Sequence, residues 1–150
     1  MELKELVRRP LVTCGLDATL EQVAELMRRH NVGSIVVLDQ HDRLCGIATD
    51  RDVFLRGGGA GTRTVDSVMS RDVVFAYEHD DVFDAATRLA ERGCRRLPIL
   101  DSNGAVTGIV TLDDLLVLFG REIDKLARAV GREVGAPVDA RGAAIQVVPS

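Results

Sequence analysis

The chain is poor in aromatic residues and carries no strong excess of either charge. Of its 150 residues, 3% are aromatic and none is tryptophan, whereas 46% are hydrophobic. We therefore expect an aliphatic core of valine, leucine, isoleucine and alanine, in a chain long enough for one compact domain. The formal net charge of −4 argues against a nucleic-acid binder, because such a protein presents a basic face to the phosphates.

Long apolar runs and paired cysteines are also missing. No apolar run approaches the roughly 20 residues of a membrane span, and the first residues lack the apolar stretch of a signal peptide. The three cysteines, Cys14, Cys45 and Cys94, form no C-x-x-C pair. They predict reduced, mostly buried thiols in a cytoplasmic protein, and neither disulfides nor zinc ligands.

Recognisable catalytic and metal-binding patterns are absent as well. No serine lies in a Gly-x-Ser-x-Gly elbow, and the sequence shows no set of a nucleophile with its base. The three histidines lack metal-ligand spacing, and acidic residues near the expected helix starts are explained by capping and by the helix dipole. We interpret the chain as a protein that is not an enzyme and has no metal site.

The dominant positive signal is an internal repeat. The segment Gly-Ile-Ala-Thr-Asp-Arg-Asp at 46–52 recurs as Gly-Ile-Val-Thr-Leu-Asp-Asp at 108–114, a shift of 62 residues (108 − 46 = 62). A repeat of this length predicts two copies of one supersecondary unit. We divide the chain into repeat one (3–56), a linker (57–64), repeat two (65–118), a C-terminal helix (119–134) and a loosely ordered tail (135–150).

Hydrophobic periodicity predicts the order strand–helix–strand–strand–helix in each repeat. Repeat one is expected to have strands at 11–14, 34–38 and 44–48, a helix from Leu20 to about His30, and a second helix opening at Thr49. Repeat two is expected to have strands at 73–76, 97–100 and 106–110, a helix from Val82 to Gly93, and a second helix opening at Thr111. Pro98 suggests an edge strand or the end of a register.

Two segments keep alternative interpretations. The glycine-rich run at 57–61 fits a flexible linker better than a phosphate-binding loop, because no Gly-Lys-Ser/Thr follows it. After repeat two, an apolar stripe at helical spacing predicts a helix to about Glu133, which packs either on the chain's own core or on a partner helix in a dimer. The stripe comprises Leu115, Phe119, Ile123, Leu126 and Val130.

The repeated Gly-x-x-Thr-x-x-Asp segments combine groups suited to a sugar phosphate. A threonine hydroxyl at a helix start lies beside free backbone N–H groups, which favour anions such as phosphate. An aspartate one turn later can accept two hydrogen bonds from a ribose diol. The same residues also form a capping box without any ligand. Their recurrence at one offset favours a binding role, which can coexist with capping.

With these segments the chain resembles the tandem CBS-domain pair, or Bateman module. The resemblance covers about residues 3–118 and rests on both Gly-x-x-Thr-x-x-Asp segments, on 68–74 at the start of repeat two, and on 32–39 and 95–101. It implies an α+β (α/β) fold of two β-α-β-β-α half-domains related by a pseudo-two-fold axis, here followed by a C-terminal helical extension. It also implies two clefts between the halves that bind adenosine-containing ligands.

The resemblance further implies which side chains meet the ligand. Two aspartates would contact ribose hydroxyls, two threonines the ribose or phosphate, and two arginines the phosphate, while valines near the opening strands would hold the base. These residues are Asp52 and Asp114, Thr49 and Thr111, Arg95 and Arg96, and Val12 and Val73.

The two clefts are not equivalent by sequence. Repeat one has Gly33 and Ser34 where repeat two has Arg95 and Arg96. A guanidinium pair binds phosphate far better than glycine and serine can. We therefore expect tighter nucleotide binding in the cleft built on Arg96 and the motif of repeat two.

The sequence as a whole predicts a regulatory sensor of adenine nucleotides such as AMP, ADP or ATP, acting through a conformational change or on a protein target. The nucleotide is a regulatory ligand, so no obligatory cofactor is expected. A homodimer is expected, and neither a membrane nor a nucleic acid is expected as a partner. Two alternatives remain, a ligand-free interaction or dimerisation scaffold and a binder of NAD or S-adenosylmethionine.

Overall fold

The computed structural model describes residues 1–7, 11–56 and 63–134. The glycine-rich run at 57–61 and the tail at 135–150, for which the sequence made predictions, lie outside the described residues. The chain divides into two compact units, Met1–Leu112 and Asp113–Ser150. The first unit holds the strands of both repeats, and the described part of the second unit is helical.

Each repeat forms its own three-stranded sheet. In repeat one the elements are β1 (Thr13–Gly15), α1 (Leu20–His30), β2 (Ser34–Leu38), β3 (Leu44–Thr49) and a π-helix (Asp52–Arg56). In repeat two they are β4 (Ala76–Tyr77), α2 (Val82–Arg92), β5 (Arg96–Leu100), β6 (Val106–Thr111) and α3 (Leu112–Val134). The sheet orders are β1-β2-β3 and β4-β5-β6, with a parallel first pair and an antiparallel second pair in each. The predicted α+β class and the C-terminal helix are confirmed.

The core is aliphatic, as the composition predicted. In repeat one the apolar face of α1 packs on the central strand β2, and Val23, Ile35 and Val37 are fully buried there. Each such side chain contributes about 1.5–3 kcal/mol by leaving water. The helix ends are set locally, because the Thr19 hydroxyl accepts a hydrogen bond from the Gln22 N–H (3.2 Å) and Asn31 closes α1 in a left-handed conformation with φ of 51°.

One strand prediction was wrong in detail, because the strand expected at 73–76 is only β4, Ala76–Tyr77. Pro98 lies in β5, the central strand of its sheet, just beyond the end of the β4–β5 register, which is one of the two positions expected for it. The short β4 explains both features. β4 pairs only with Ile99 and Leu100, so β5 has an unpaired side at Pro98, where a residue without an N–H is tolerated.

The opening arm of repeat one, residues 1–7, lies on repeat two. The Leu3 N–H donates to the Asp80 carbonyl (3.0 Å), and the Val82 N–H donates to the Met1 carbonyl (3.1 Å). The N-terminal ammonium group also forms an ion pair with the Asp81 carboxylate (3.2 Å). The first residues of the chain are therefore bound to the turn between β4 and α2 of repeat two.

The opening arm of repeat two, residues 63–70, lies on repeat one in the same way. The Val65 N–H donates to the Ala18 carbonyl (2.8 Å), and the Leu20 N–H donates to the Arg63 carbonyl (2.9 Å). Each of these hydrogen bonds has a counterpart at the first arm, and the equivalent residues differ by 62 positions (65 − 3 = 62). The repeats therefore exchange their opening arms, and the turn before the first helix of each repeat is hydrogen-bonded to the arm of the other.

The pseudo-two-fold relation implied by the resemblance is confirmed at the hairpin turns. Arg43 and Ala105 form an isolated antiparallel bridge, and they occupy equivalent positions in the repeat (105 − 43 = 62). A residue meets its own equivalent only on a two-fold axis. The axis therefore passes between these two turns.

The glycine of each repeated motif accommodates the exchanged arm. A Cβ added at Gly46 would overlap the Met69 side chain of the second arm, and a Cβ at Gly108 would overlap the Val7 side chain of the first. Met69 is buried, so it has little room to retreat. The two glycines are thus required by a close approach between segments of the protein.

We predict that Gly108→Ala lowers the free energy of unfolding by about 1–3 kcal/mol, because the new methyl group overpacks the contact with Val7. Gly46→Ala should lower it by a similar amount, since Met69 is more flexible than a β-branched valine but is buried. Urea unfolding monitored by circular dichroism measures both.

Gly120→Ala is the matched control, because a Cβ there meets no described neighbour within 4 Å beyond its own helix. It should stabilise the protein by up to about 1 kcal/mol through helix propensity. A double-mutant cycle of Gly108→Ala with Val7→Ala should show coupling. Additive effects in that cycle would contradict the assignment of the arm contact.

Candidate functional site

The motif of repeat one forms a reciprocal cap at the end of β3. The Thr49 N–H and Oγ1 both donate to Asp52 Oδ2 (2.9 and 3.0 Å), and the Asp52 N–H donates to Thr49 Oγ1 (3.2 Å). The capping role considered from sequence is therefore present. It commits the only hydroxyl proton of Thr49, so this oxygen can accept a further hydrogen bond but cannot donate one.

Within the first unit, a cleft of about 250 Å³ opens between the two repeats. Repeat one contributes the end of β3. The second arm and the segment after it form one wall, and the start of β5 forms another. The lining residues are Ile47, Thr49, Ser70, Asp72, Val73, Val74, Arg92, Cys94, Arg95 and Arg96. Basic and apolar side chains therefore line the same cleft.

The cleft wall is a consequence of the arm exchange. Ile47 and Ser70 donate backbone hydrogen bonds to each other's carbonyl groups (3.0 and 2.9 Å), which fastens the second arm to β3. The chain then continues from Ser70 through Val73 and Val74 along the cleft. Without the exchange, these apolar side chains would have no position opposite Thr49.

The helix end and the strand start position the arginines. Gly93 closes α2 in the left-handed region with φ of 59°, and the chain turns directly into β5. The Leu112 N–H donates to the Arg95 carbonyl (2.9 Å), and Arg96 is directly opposite Thr111 in the β5–β6 ladder. Opposite residues in such a ladder project from the same face of the sheet, so Arg96 and Thr111 share one face.

One carboxylate lies among the guanidinium groups. Arg92 Nη2 contacts Asp72 Oδ1 and Oδ2 at 3.2 and 3.1 Å. The cleft lining thus carries three arginines and one aspartate, a formal charge of +2 (3 − 1 = 2). Such a surface attracts anions and disfavours cationic ligands.

The structure brings together four of the eight residues singled out from sequence, namely Thr49, Val73, Arg95 and Arg96. Among the described residues that line the cleft, Asp52 and Val12 are absent; Asp52 caps Thr49, and Val12 packs against the core of repeat one. Thr111 ends β6 opposite Arg96. Asp114 belongs to the second unit, in the first turn of α3.

Sequence reasoning missed Asp72 and Arg92. The two are 20 positions apart and belong to no shared motif, so only the fold brings them together. Arg92 did carry a signal, because a basic residue in the last turn of a helix, three residues before an arginine pair, extends the same positive surface.

The three cysteines are free thiols, and all are half-buried, which is less than the burial expected from sequence. Burial raises the pKa of the Cys14 thiol to about 11, so it stays protonated at neutral pH. Cys94 lines the cleft.

A larger groove of about 1070 Å³ runs along α1. Apolar side chains dominate its lining, among them Leu26, Met27, Val32 and Phe54. Of its two arginines, Arg28 is paired with Glu25 at 2.7 Å. All of its lining residues belong to repeat one, whereas the smaller cleft brings the arginines before and within β5 to the motif of repeat one, so we place the candidate site in the smaller cleft.

Metal sites and membrane-spanning helices are two further kinds of feature to consider. In the described segments, no three His, Cys, Asp or Glu side chains come together as a metal ion would need. None of the helices in the described part of the chain combines the length and the hydrophobicity that a membrane crossing requires.

Comparisons with known proteins all identify the same family. A model of the CBS domain matches residues 3–57 and 65–120. The CBS domain-containing protein YhcV of Bacillus subtilis is 39% identical over 118 residues, which cover 77% of this chain and 83% of that protein. An uncharacterised protein of Methanopyrus kandleri is 37% identical over 117 residues, which cover 75% of this chain but only 59% of that relative.

One solved structure is similar over most of this chain. The CBS domain pair of protein MJ0100, in complex with 5′-methylthioadenosine and S-adenosyl-L-methionine, aligns with a TM-score of 0.73 and 26% identity. The alignment covers 81% of this chain and 98% of that one.

We predict that Thr49→Ala lowers the free energy of unfolding by about 0.5–2 kcal/mol, since it removes the cap hydroxyl. Thr49→Ser keeps the hydroxyl and should cost less than half as much. Urea unfolding of both variants measures the difference. Equal losses in the two variants would show that the cap contributes nothing and that the methyl group matters instead.

Proposed function

The chain belongs to the CBS domain family, and we propose that it is a regulatory module whose inter-repeat cleft binds an adenine nucleotide such as AMP, ADP or ATP in the cytoplasm. The observation that carries this proposal is the composition of the cleft. Apolar groups, a hydroxyl acceptor and guanidinium groups converge on one space of about 250 Å³. These are the groups that a base, a ribose and a phosphate require.

The chemistry of each wall suggests how the ligand lies. Val73 and Val74, opposite Ile47, offer an apolar slot for a flat base. Thr49 can only accept, because its proton is committed to Asp52, so it suits a ribose hydroxyl and not a phosphate oxygen. The phosphate then falls to the arginines at the start of β5, whose guanidinium groups bind phosphate in a bidentate manner.

Support for an adenosine ligand also comes from the structural relative. The CBS domain pair of protein MJ0100 was solved with two adenosine-containing ligands. Its identity of 26% over nearly the whole domain pair makes an adenosine ligand a reasonable expectation for this cleft. The residues that would contact the phosphate determine which of the candidates AMP, ADP, ATP, NAD and S-adenosylmethionine binds most tightly.

We propose regulation, and not catalysis, as the outcome of binding. The walls of the cleft come from two different repeats. A ligand that contacts both repeats favours one relative arrangement of them and shifts the population toward it. The size of that shift is limited by the difference in affinity between the two arrangements.

An exposed apolar face on α3 favours a homodimer as the form in which the module acts. Ile123, Leu126 and Val130 are 65%, 67% and 58% exposed and follow one another at spacings of three and four residues, while Leu116, 59% exposed, lies seven residues before Ile123. Such spacing is typical of a coiled-coil seam. The charged residues lie outside it, and pairs such as Asp124 and Arg128 (2.8 Å) are satisfied within the helix.

We predict that at least one adenine nucleotide raises the melting temperature of the protein. Linkage gives a stabilisation of about 2.7 kcal/mol at a ligand concentration 100 times the Kd. The test is a thermal shift with AMP, ADP, ATP, NAD and S-adenosylmethionine, followed by calorimetric titration. Arg96→Gln should weaken binding of the phosphate-bearing ligands about tenfold or more.

Arg121→Gln on the exposed face of α3 is the control, because it makes the same charge change at a residue that is not among the lining residues of the cleft. Failure of every adenosine-containing ligand to bind would overturn the proposal and leave the interaction scaffold as the better account. Equal loss of affinity in Arg96→Gln and Arg121→Gln would place the ligand elsewhere.

The dimer prediction is tested by Ile123→Asp. Placing a carboxylate at the centre of the stripe removes apolar burial of about 1.5–3 kcal/mol in each copy and adds two buried charges. Analytical ultracentrifugation should show a dimer for the natural chain and for the Arg121→Asp control, and a monomer for Ile123→Asp. A dimer that persists in Ile123→Asp would exclude this face as the interface.

A further inference from the structure

We propose that the exposed apolar face of α3 docks into the α1 groove of a second copy of this chain. The face comprises Leu116, Ile123, Leu126 and Val130, each more than half exposed, and the groove is the space of about 1070 Å³ beside α1. This inference rests on the proposed function, since it takes up the homodimer stated there. It adds the surface of the partner copy that receives the helix.

The first observation is the exposure of the second half of α3. All residues from Gly120 to Gly131 are exposed, and the α-helix continues through them to Val134. Each glycine weakens a helix by about 1 kcal/mol relative to alanine, and an isolated helix of about 15 residues is marginal in water. This part of α3 therefore gains stability when its apolar face is buried against a partner.

The second observation is the size of the groove. Its volume of about 1070 Å³ exceeds the ~300–1,000 Å³ of typical small-molecule pockets. It follows α1, whose 11 residues span about 16 Å, and the apolar face of α3 is about 21 Å long. Phe54 borders the groove and is 75% exposed. A helix lying along α1 would cover both the groove and this ring.

The third observation is a difference between the repeats beside their first helices. Ala18 and Leu26 line the groove, and the equivalent residues of repeat two are Asp80 and Arg88 (80 − 62 = 18 and 88 − 62 = 26). Arg88 Nη1 donates to Asp80 Oδ2 (2.8 Å) and to the Phe75 carbonyl (3.1 Å). Repeat two thus has an ion pair where repeat one has two apolar side chains, so the groove of repeat one suits an apolar partner.

The order of charges along the two helices favours an antiparallel arrangement. In α1, residues 20–27 carry a formal charge of −2 and residues 28–30 carry +2. In α3, residues 112–124 carry −3 (1 − 4 = −3) and residues 125–131 carry +2. Both helices run from a negative to a positive end, so antiparallel packing places unlike ends together and opposes the two helix dipoles.

Pairing of two α3 helices with each other would explain less. The apolar face spans two heptads, whereas a coiled coil is recognised by about three to four. The positions that flank the face hold Gly120, Glu122, Ala127 and Ala129, so the charge pairs that join coiled-coil helices lack partners there. Such a pair would also leave Phe54 in solvent. Each copy supplies one helix and one groove, which is what a closed two-fold dimer requires.

The test is the dimer dissociation constant of the full chain, measured by analytical ultracentrifugation. Phe54→Asp should raise it about a hundredfold or more, since each copy loses a buried apolar contact and gains a buried carboxylate. Phe83→Asp is the matched control, because Phe83 is 66% exposed but is not among the lining residues of the groove. It should leave the constant unchanged.

A second variant, Ala18→Asp with Leu26→Arg, installs the ion pair of repeat two in the groove. The fold can carry it, because the two turns make the same backbone hydrogen bond. The Ala18 N–H donates to the Gly15 carbonyl (3.2 Å), and the Asp80 N–H donates to the Tyr77 carbonyl (3.0 Å). This double variant should be a monomer with a cooperative urea unfolding curve. A double variant that folds and dimerises like the natural chain would overturn the inference.

A photoreactive p-benzoylphenylalanine at position 126 identifies the neighbour of α3 directly. In dimers of one isotope-labelled and one unlabelled copy, links from this position to 20–30 of the other copy would support the inference. Links between two α3 helices, or to α1 of the same copy, would overturn it.

The variants separate this inference from the proposed function. A dimer kept in Phe54→Asp but lost in Ile123→Asp would overturn the groove contact alone. A dimer kept in both variants, or a natural chain that is a monomer, would overturn the dimer face of α3 as well. Nucleotide binding in the cleft is decided separately by the thermal shift, and urea unfolding curves verify that each variant folds.

Discussion

The exchange of opening arms is the constraint on which the rest of the first unit depends. Each arm is hydrogen-bonded to the other repeat, and the glycines at Gly46 and Gly108 leave the space that its side chains occupy. The exchange does more than join the halves. It brings the chain from Ser70 to Val74 beside the end of β3, and so builds a cleft lined by both repeats. The proposed binding and the folding therefore depend on the same contact.

The repeated motif serves this architecture before it serves a ligand. Its glycine meets an arm, and in repeat one its threonine and aspartate cap a helical turn. The cap nevertheless prepares the site, because it fixes the Thr49 oxygen as an acceptor at the edge of the cleft. Duplication then produced two equivalent positions, and the arginines at Arg95 and Arg96 made one of them suited to an anion. A symmetric fold can therefore carry the asymmetric recognition that we propose.

Much of the fold could be predicted from the sequence because its signals are local. The span of α1, from Leu20 to His30, follows from periodicity and caps, and the duplication follows from the offset of 62. Whether Pro98 marks an edge strand or the end of a register depends on how short β4 is, which is a tertiary fact. Asp72 and Arg92 could not be paired from sequence, since 20 residues and a helix separate them. The arm exchange was invisible for the same reason.

The central claim is that the cleft between the exchanged arm and β5 binds an adenine nucleotide. Hydrogen–deuterium exchange measured with and without ATP tests it most directly, because it maps protection along the whole chain. The account predicts slower exchange at 70–74 and 92–96, and no change along the α1 groove at 24–29. Protection confined to α1, with unchanged exchange in both cleft segments, would contradict it.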